Sequence, residues 1–152
     1  MRPVKQLLVH RSVFSVEKGE TVQAAAEHMA RNNIGAVTVM DGTRLVGIFS
    51  ERDVINRVVA KRLDPASIAV GAVMTSGLIV AGPDDSYELC LKKMKKANCR
   101  HLPVVEQDTL IGVISLRDLL EIDITEKDEN IEFLYSYMFH VAPDVEKKYG
   151  KI

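Results

Sequence analysis

The sequence of 152 residues lacks the features of disulfide-rich, membrane-spanning and secreted proteins. It has no tryptophan, and its only cysteines are Cys90 and Cys99. Two cysteines are too few for a disulfide framework in a chain of this size, so we expect reduced, partly buried thiols. No apolar run approaches the ~20 residues of a membrane helix, and the charged start of the chain is not followed by the apolar segment of a signal peptide. These absences predict a cytoplasmic protein with no membrane contact.

An excess of charge of one sign is also missing, because the formal net charge is only -1. Without a basic field the chain has no general attraction for nucleic acid or for an anionic membrane, so neither is expected as a partner. The composition, 47% hydrophobic and 27% charged, excludes a disordered or fibrous chain and is typical of a globular protein.

The sequence lacks the residue spacings of common catalytic and metal sites. No nucleophile stands near a base and no pair of carboxylates is recognisable, so we predict that the protein is not an enzyme. Cys90, Cys99 and His101 include no Cys-x-x-Cys pair, and no zinc site is predicted. Gly42 and Gly47 do not form a phosphate-cradling loop.

What the sequence does contain is one motif that occurs twice. The segment Gly47-Ile-Phe-Ser-Glu-Arg-Asp53 returns 65 residues later as Gly112-Val-Ile-Ser-Leu-Arg-Asp118. The same offset superimposes two apolar stripes of helical spacing without an insertion or deletion: Val22, Ala25, Ala26 and Met29 on Tyr87, Cys90, Leu91 and Met94. The chain is therefore an internal duplication.

Each copy of the motif has two interpretations. Ser-x-x-Asp before an apolar run is a helix capping signature, in which Ser and Asp satisfy unpaired N–H groups. The same N-terminal turn can also hold an anion, and its carboxylate can accept hydrogen bonds from a ribose. Conservation of Gly, Ser, Arg and Asp between the two copies favours a paired binding site over a cap alone. Thr21 and Ser86, in contrast, are predicted to be N-caps.

The coarse pattern predicts an α+β fold made of two repeats, each with the order strand, helix, strand, strand, helix. In the first repeat we expect a leading helix over Val4–Leu8, strands over 12–16, 36–40 and 45–49 with a hairpin turn at Asp41-Gly42, and a second helix that contains Val54, Ile55, Val58 and Val59. In the second repeat, 78–80 matches the leading strand. A repeat of this size is too small to bury a core alone, so the two should pack with pseudo-two-fold symmetry.

The predicted boundaries divide the chain into residues 1–65, 66–124 and 125–152. The last part is expected to contain an amphipathic helix with an apolar stripe of Ile131, Leu134, Tyr135 and Met138, which covers the module or meets a second chain, and a loose tail after Pro143.

Over residues 1–124 the chain resembles a stand-alone pair of cystathionine-β-synthase (CBS) domains, a Bateman module. The resemblance depends on the two Gly-h-h-Ser-x-Arg-Asp motifs (h is apolar), on Val73-Met74-Thr75 and on Arg100-His101-Leu102-Pro103-Val104. It implies a non-catalytic sensor that associates as a homodimer, binds AMP, ADP, ATP, NAD(H) or S-adenosylmethionine between the repeats, and regulates an enzyme or transporter.

The resemblance also implies two clefts. The first would use Ser50, Arg52 and Asp53 with Ile79, Val80, Ala81, Cys99, Arg100, His101, Leu102 and Pro103. The second would use Ser115, Arg117 and Asp118 with Ser15, Val16, Ile34, Gly35 and Ala36. Arg52 and Arg117 either reach a phosphate or lie on a solvated helix face.

The two clefts should not be equal. Arg100 and His101 can meet a phosphate, whereas Gly35 and Ala36 stand at their positions in the first repeat and offer only backbone and space. We therefore expect the tighter ligand beside Asp53. The alternative is an interaction scaffold that has degenerate clefts and regulates a partner without a nucleotide.

Overall fold

Alternating apolar residues around tight turns give the first repeat a three-stranded sheet. The computed structural model describes residues 3–8, 12–123 and 138. Strand β1 (Ser15–Glu17) pairs in parallel with β2 (Ala36–Asp41), which pairs antiparallel with β3 (Arg44–Ser50). Gly42 adopts a φ of +63° in the turn, which confirms the predicted hairpin.

Helix α1 (Val22–Asn32) buries its predicted apolar stripe against this sheet. Val22, Ala25 and Met29 are core residues, and the Thr21 side chain accepts a hydrogen bond from the N–H of Ala24. The second repeat repeats this arrangement in α4 (Tyr87–Ala97), where Cys90 and Met94 are buried and Ser86 accepts from the N–H of Leu89. Both predicted N-caps are confirmed.

The second helix of the first repeat differs from its prediction. It begins as α2 (Glu51–Asp53) and continues as a π-helix over Val54–Val59. Val58 is buried, but Ile55 and Val59 are 61% and 64% exposed. Its apolar residues therefore lie on two faces, one in the core and one in solvent. The next element is the short helix α3 (Val70–Val73).

The second repeat has a two-stranded sheet of β4 (His101–Glu106) and β5 (Thr109–Ser115), followed by α5 (Leu116–Asp123). The strand expected over 78–80 is reduced to one parallel bridge between Ala81 and Val104. Proline explains the difference. In the first repeat the N–H of Thr38 donates to the oxygen of Phe14 at 3.2 Å, but the matching Pro103 has no N–H to donate.

The two repeats exchange their leading segments. The expected first helix is a 3-10 turn over Val4–Leu7, and the fully buried Val4 belongs to the core cluster of the second repeat. In the same way, α3 packs Val70 and Val73 into the core cluster of the first repeat. These exchanges hold the repeats together. Of the predicted C-terminal stripe, Ile131, Leu134 and Tyr135 lie outside the described residues, as does the tail after Pro143.

Candidate functional site

Both copies of the repeated motif form a helix cap. The Ser50 N–H donates to Oδ2 of Asp53 at 3.0 Å, and the Asp53 N–H donates to Oγ of Ser50 at 3.3 Å. The matching distances between Ser115 and Asp118 are 2.6 and 3.2 Å. The capping interpretation is therefore confirmed twice, and the two copies differ in what faces each carboxylate.

Asp53 faces Arg57 of its own repeat and Thr75 from the leading segment of the second repeat. The Thr75 hydroxyl lies 3.4 Å from both carboxylate oxygens, and Nε of Arg57 lies 3.5 Å from Oδ1. Arg57 is held in turn by the main-chain oxygens of Val73 and Met74. Asp53, which as a whole residue is only 8% exposed, is thus part of the contact between α2 and the segment after α3.

Asp118 instead lines a cavity of about 650 Å³ between the repeats. This volume lies within the range of roughly 300–1,000 Å³ that is usual for small-molecule sites. The cavity combines charged groups with an apolar wall. The charged side chains are Glu51, Arg100, Arg117 and Asp118, and the apolar wall includes Val13, Phe14, Ile34, Ala36, Val113, Leu116 and Met138.

Arg100 and His101 line the cavity of Asp118, and Asp53, beside which they were expected, does not line it. The register of the second sheet also places them beside the motif of their own repeat. His101 is directly opposite Ser115 across β4 and β5, and the N–H of Leu116 donates to the oxygen of Arg100 at 2.8 Å. The start of β4 is therefore fixed beside the motif of its own repeat.

Gly35 brings the first repeat close to His101. A Cβ at Gly35 would lie 3.2 Å from Oε1 of Glu51 and 3.4 Å from Cε1 of His101. The absence of a side chain here leaves room for both groups. Glycine at this position therefore shapes the junction of the repeats.

The structure brings together eight of the predicted site residues around this one cavity. These residues are Ile34, Gly35, Ala36, Arg100, His101, Ser115, Arg117 and Asp118. The exposed side chain of Arg117 also lines a neighbouring groove of about 580 Å³ beside α1 and α2.

The other predicted residues lie elsewhere than on this cavity. Ala81 and Leu102 are fully buried in the second core cluster, Val16 is buried in the first, and Pro103 is also buried. Ser15 shares a hydrogen bond of 2.9 Å with Thr38 inside the first sheet. Ser50, Arg52, Asp53, Ile79, Val80 and Cys99 are likewise not among the residues that line the cavity.

Sequence reasoning missed several residues of the cavity wall. The cavity is lined by Ser12, Val13 and Phe14 and not by the predicted Ser15 and Val16. Ser15 and Val16 pair with β2 inside the sheet, and the residues before them reach the cavity. Asn33, Glu51 and Met138 were missed as well. Glu51 stands inside the repeated motif where the other copy has Leu116, and that difference was the available signal.

The surroundings of His101 favour a neutral imidazole. Burial lowers the pKa of His101 from 6.5 to about 4, and the positive charges of Arg100 and Arg52 act in the same direction. The carboxylate of Asp118 opposes this shift. At neutral pH the ring can therefore donate one hydrogen bond and accept another without carrying charge.

The surroundings of both thiols favour their neutral form. Burial raises the pKa of Cys90 to about 11 and also raises the pKa of Cys99. Within the described part of the chain no group of three His, Cys, Asp or Glu side chains is placed to hold a metal ion. Nor does any helix over those residues have the length and apolarity needed to cross a membrane.

Comparison with known proteins gives consistent matches. The family model of the CBS domain matches residues 4–60 and 70–124. The chain is 34% identical over 107 residues to a CBS domain-containing protein of Bacillus subtilis, which covers 70% of this chain and 76% of the relative.

Two solved structures are similar over most of the chain. A protein with CBS domains from Burkholderia ambifaria is 32% identical with a TM-score of 0.79, over 84% of this chain and 97% of the other. A CBS domain protein from Pyrobaculum aerophilum, solved in complex with AMP, is 27% identical with a TM-score of 0.72, over 89% and 99% of the two chains.

Proposed function

Because the chain belongs to the CBS domain family, we propose that it is a regulatory, non-catalytic module that binds an adenosine-containing ligand between its repeats. The observation that carries this proposal is the cavity that Asp118, Arg100 and His101 share with Ile34–Ala36 of the other repeat. AMP is the first candidate ligand, since a relative of the same architecture was solved with it. ADP, ATP, NAD(H) and S-adenosylmethionine are the other candidates.

Each part of the ligand has a matching part of the cavity. The carboxylate of Asp118 is an acceptor for the ribose hydroxyls, and it is held in place by the N–H of Ser115. Arg100 and Arg117 supply positive charge for a phosphate, and His101 adds a neutral donor. The apolar side chains of Val13, Phe14 and Ile34 suit the faces of a purine.

The cavity of Asp118, rather than the cleft of Asp53, is the proposed primary site. This reverses the order expected from the sequence. Arg100 and His101 line the cavity of Asp118, and Asp53 does not line it.

A matched pair of variants tests the site. Asp53→Ala and Asp118→Ala remove the same capping carboxylate, which costs each variant about 0.5–2 kcal/mol of stability. Only Asp118→Ala should also weaken AMP binding, by about 1–3 kcal/mol or roughly 5- to 150-fold in calorimetry. Equal affinities of the two variants would remove Asp118 from the site.

The candidate ligands are compared first by thermal shift on the unmodified chain. A ligand at 100 times its dissociation constant adds about 2.7 kcal/mol of stability, which is readily detected. Absence of a shift with AMP, ADP, ATP, NAD, NADH and S-adenosylmethionine would refute the sensor and support the interaction scaffold.

We also propose that the module forms a homodimer through the outer face of the π-helix. Ile55 and Val59 place two large apolar side chains there in solvent. In sedimentation analysis the double change Ile55→Asp and Val59→Asp should give monomers, whereas Leu89→Asp, at an exposed apolar position of α4, should not. A wild-type chain that sediments as a monomer would contradict the proposal. A dimer could relay a ligand-dependent change to a regulated enzyme or transporter.

A further inference from the structure

Met138 lies outside both repeats in the sequence but lines the cavity between them. Its side chain is partly buried and packs against the core cluster of the second repeat. In the sequence it is the last member of the apolar stripe of the C-terminal extension. The cavity wall therefore draws on three parts of the chain: the first repeat, the second repeat and the extension.

The side chain of Met138 suits a wall that meets ligands. Methionine is unbranched and polarizable, so it adapts to irregular surfaces and packs well against aromatic rings. The other apolar groups on the wall, such as Phe14 and Leu116, belong to the two repeats. Of the described residues that line the cavity, Met138 is the one that comes from the extension.

We propose that Met138 contacts the bound ligand and so couples occupancy of the cavity to the C-terminal extension. This inference rests on the proposed function, because it requires a ligand in the cavity of Asp118. Coupling is reciprocal: if Met138 stabilises the bound ligand, the ligand stabilises the bound position of Met138 by the same free energy. Ligand binding thereby acts on the C-terminal extension, which lies outside the two repeats in the sequence.

Methyl NMR on the full chain tests the contact directly. The sequence has six methionines, so a sample with [methyl-13C]methionine gives few signals. The signal of Met138 is identified by its loss in Met138→Leu. On titration with AMP it should move and saturate with the dissociation constant that calorimetry gives. The signal of Met40, which is partly buried in β2 and does not line the cavity, should stay in place.

Affinity supplies a second readout. Met138→Ala should weaken AMP binding by about four- to fifteenfold, as expected for the loss of one or two methylene-sized contacts. The matched change Met40→Ala should leave the affinity unchanged. Thermal melts of both variants without ligand separate a loss of folding from a loss of contact.

The outcomes distinguish this inference from the proposed function. AMP binding with an unmoved Met138 signal, or with equal affinity in Met138→Ala and the wild type, overturns the coupling and leaves the sensor intact. Absence of saturable binding by AMP and by the other candidate ligands overturns both proposals. A moving Met138 signal together with the weaker affinity of Met138→Ala supports the coupling.

Discussion

The partly buried imidazole of His101 makes the stability of the fold depend on pH in a defined direction. Burial and the positive charges of Arg100 and Arg52 lower the pKa of His101 from 6.5 to about 4 in the folded chain. Asp118 opposes this shift, and Glu51 faces the same ring across Gly35. In the unfolded chain the imidazole returns to its ordinary pKa.

The sign follows from proton binding. Between pH 6.5 and about 4 the unfolded state holds a proton on His101 that the folded state does not, so stability rises with pH across this window. The contribution is fully present above pH 6.5 and is lost as the pH falls toward 4. Each unit of difference in pKa is worth about 1.4 kcal/mol, so the whole window is worth on the order of 3 kcal/mol.

Urea unfolding of the wild type and of His101→Gln at a series of pH values measures this contribution. The variant keeps a neutral polar side chain but does not titrate, and carboxylates that titrate near the lower end affect both proteins alike. The free energy of unfolding of the wild type should fall more steeply below pH 6.5 than that of the variant. Parallel curves, or an NMR titration of His101 with a pKa near 6.5, would refute the reasoning.

Other predictions concern packing and thiol chemistry. Gly47→Ala should destabilise the fold by about 1–3 kcal/mol, because the added Cβ would overlap Sδ of Met74 and lie 3.0 Å from the main-chain oxygen of Thr75. Gly19→Ala is the control, with no atom within 4 Å of the new Cβ, and denaturant unfolding that gave equal losses for both would contradict the argument. The fully buried Cys90, whose pKa is raised to about 11, should react with a thiol reagent only after unfolding. Rapid modification of Cys90 in the native chain, located by mass spectrometry, would show that the helix opens readily.

The sequence predicted the fold well because the duplication repeats every local signal. The apolar stripes, the N-caps Thr21 and Ser86, and the turn at Gly42 all depend on near neighbours in the chain, and the structure confirms them. The sequence also contained a reason why no strand forms at 78–80. Pro103 has no N–H and cannot donate the hydrogen bond that the N–H of Thr38 donates in the first repeat.

The positions of the charged site residues were harder to predict. Arg100 and His101 were expected beside Asp53, and the register of β4 and β5 also places them next to Ser115, on the cavity of Asp118. Such a register depends on pairing along the whole hairpin and not on the motif itself. The exposure of Ile55 could not be predicted from the sequence either, because a π-helix turns its residues away from the faces that α-helical spacing predicts.

Divergence between the repeats explains why one cavity is the proposed site in a chain with two motifs. Where the second repeat has Arg100, the first has Gly35, and the missing side chain leaves space beside Glu51 and His101. Asp118 of the second repeat lines the cavity, whereas Asp53 of the first repeat does not. Calorimetry on the full chain should therefore give one ligand per chain. Two sites of equal affinity would show that a ligand also binds beside Asp53. The two repeats would then be alike in function as well as in fold.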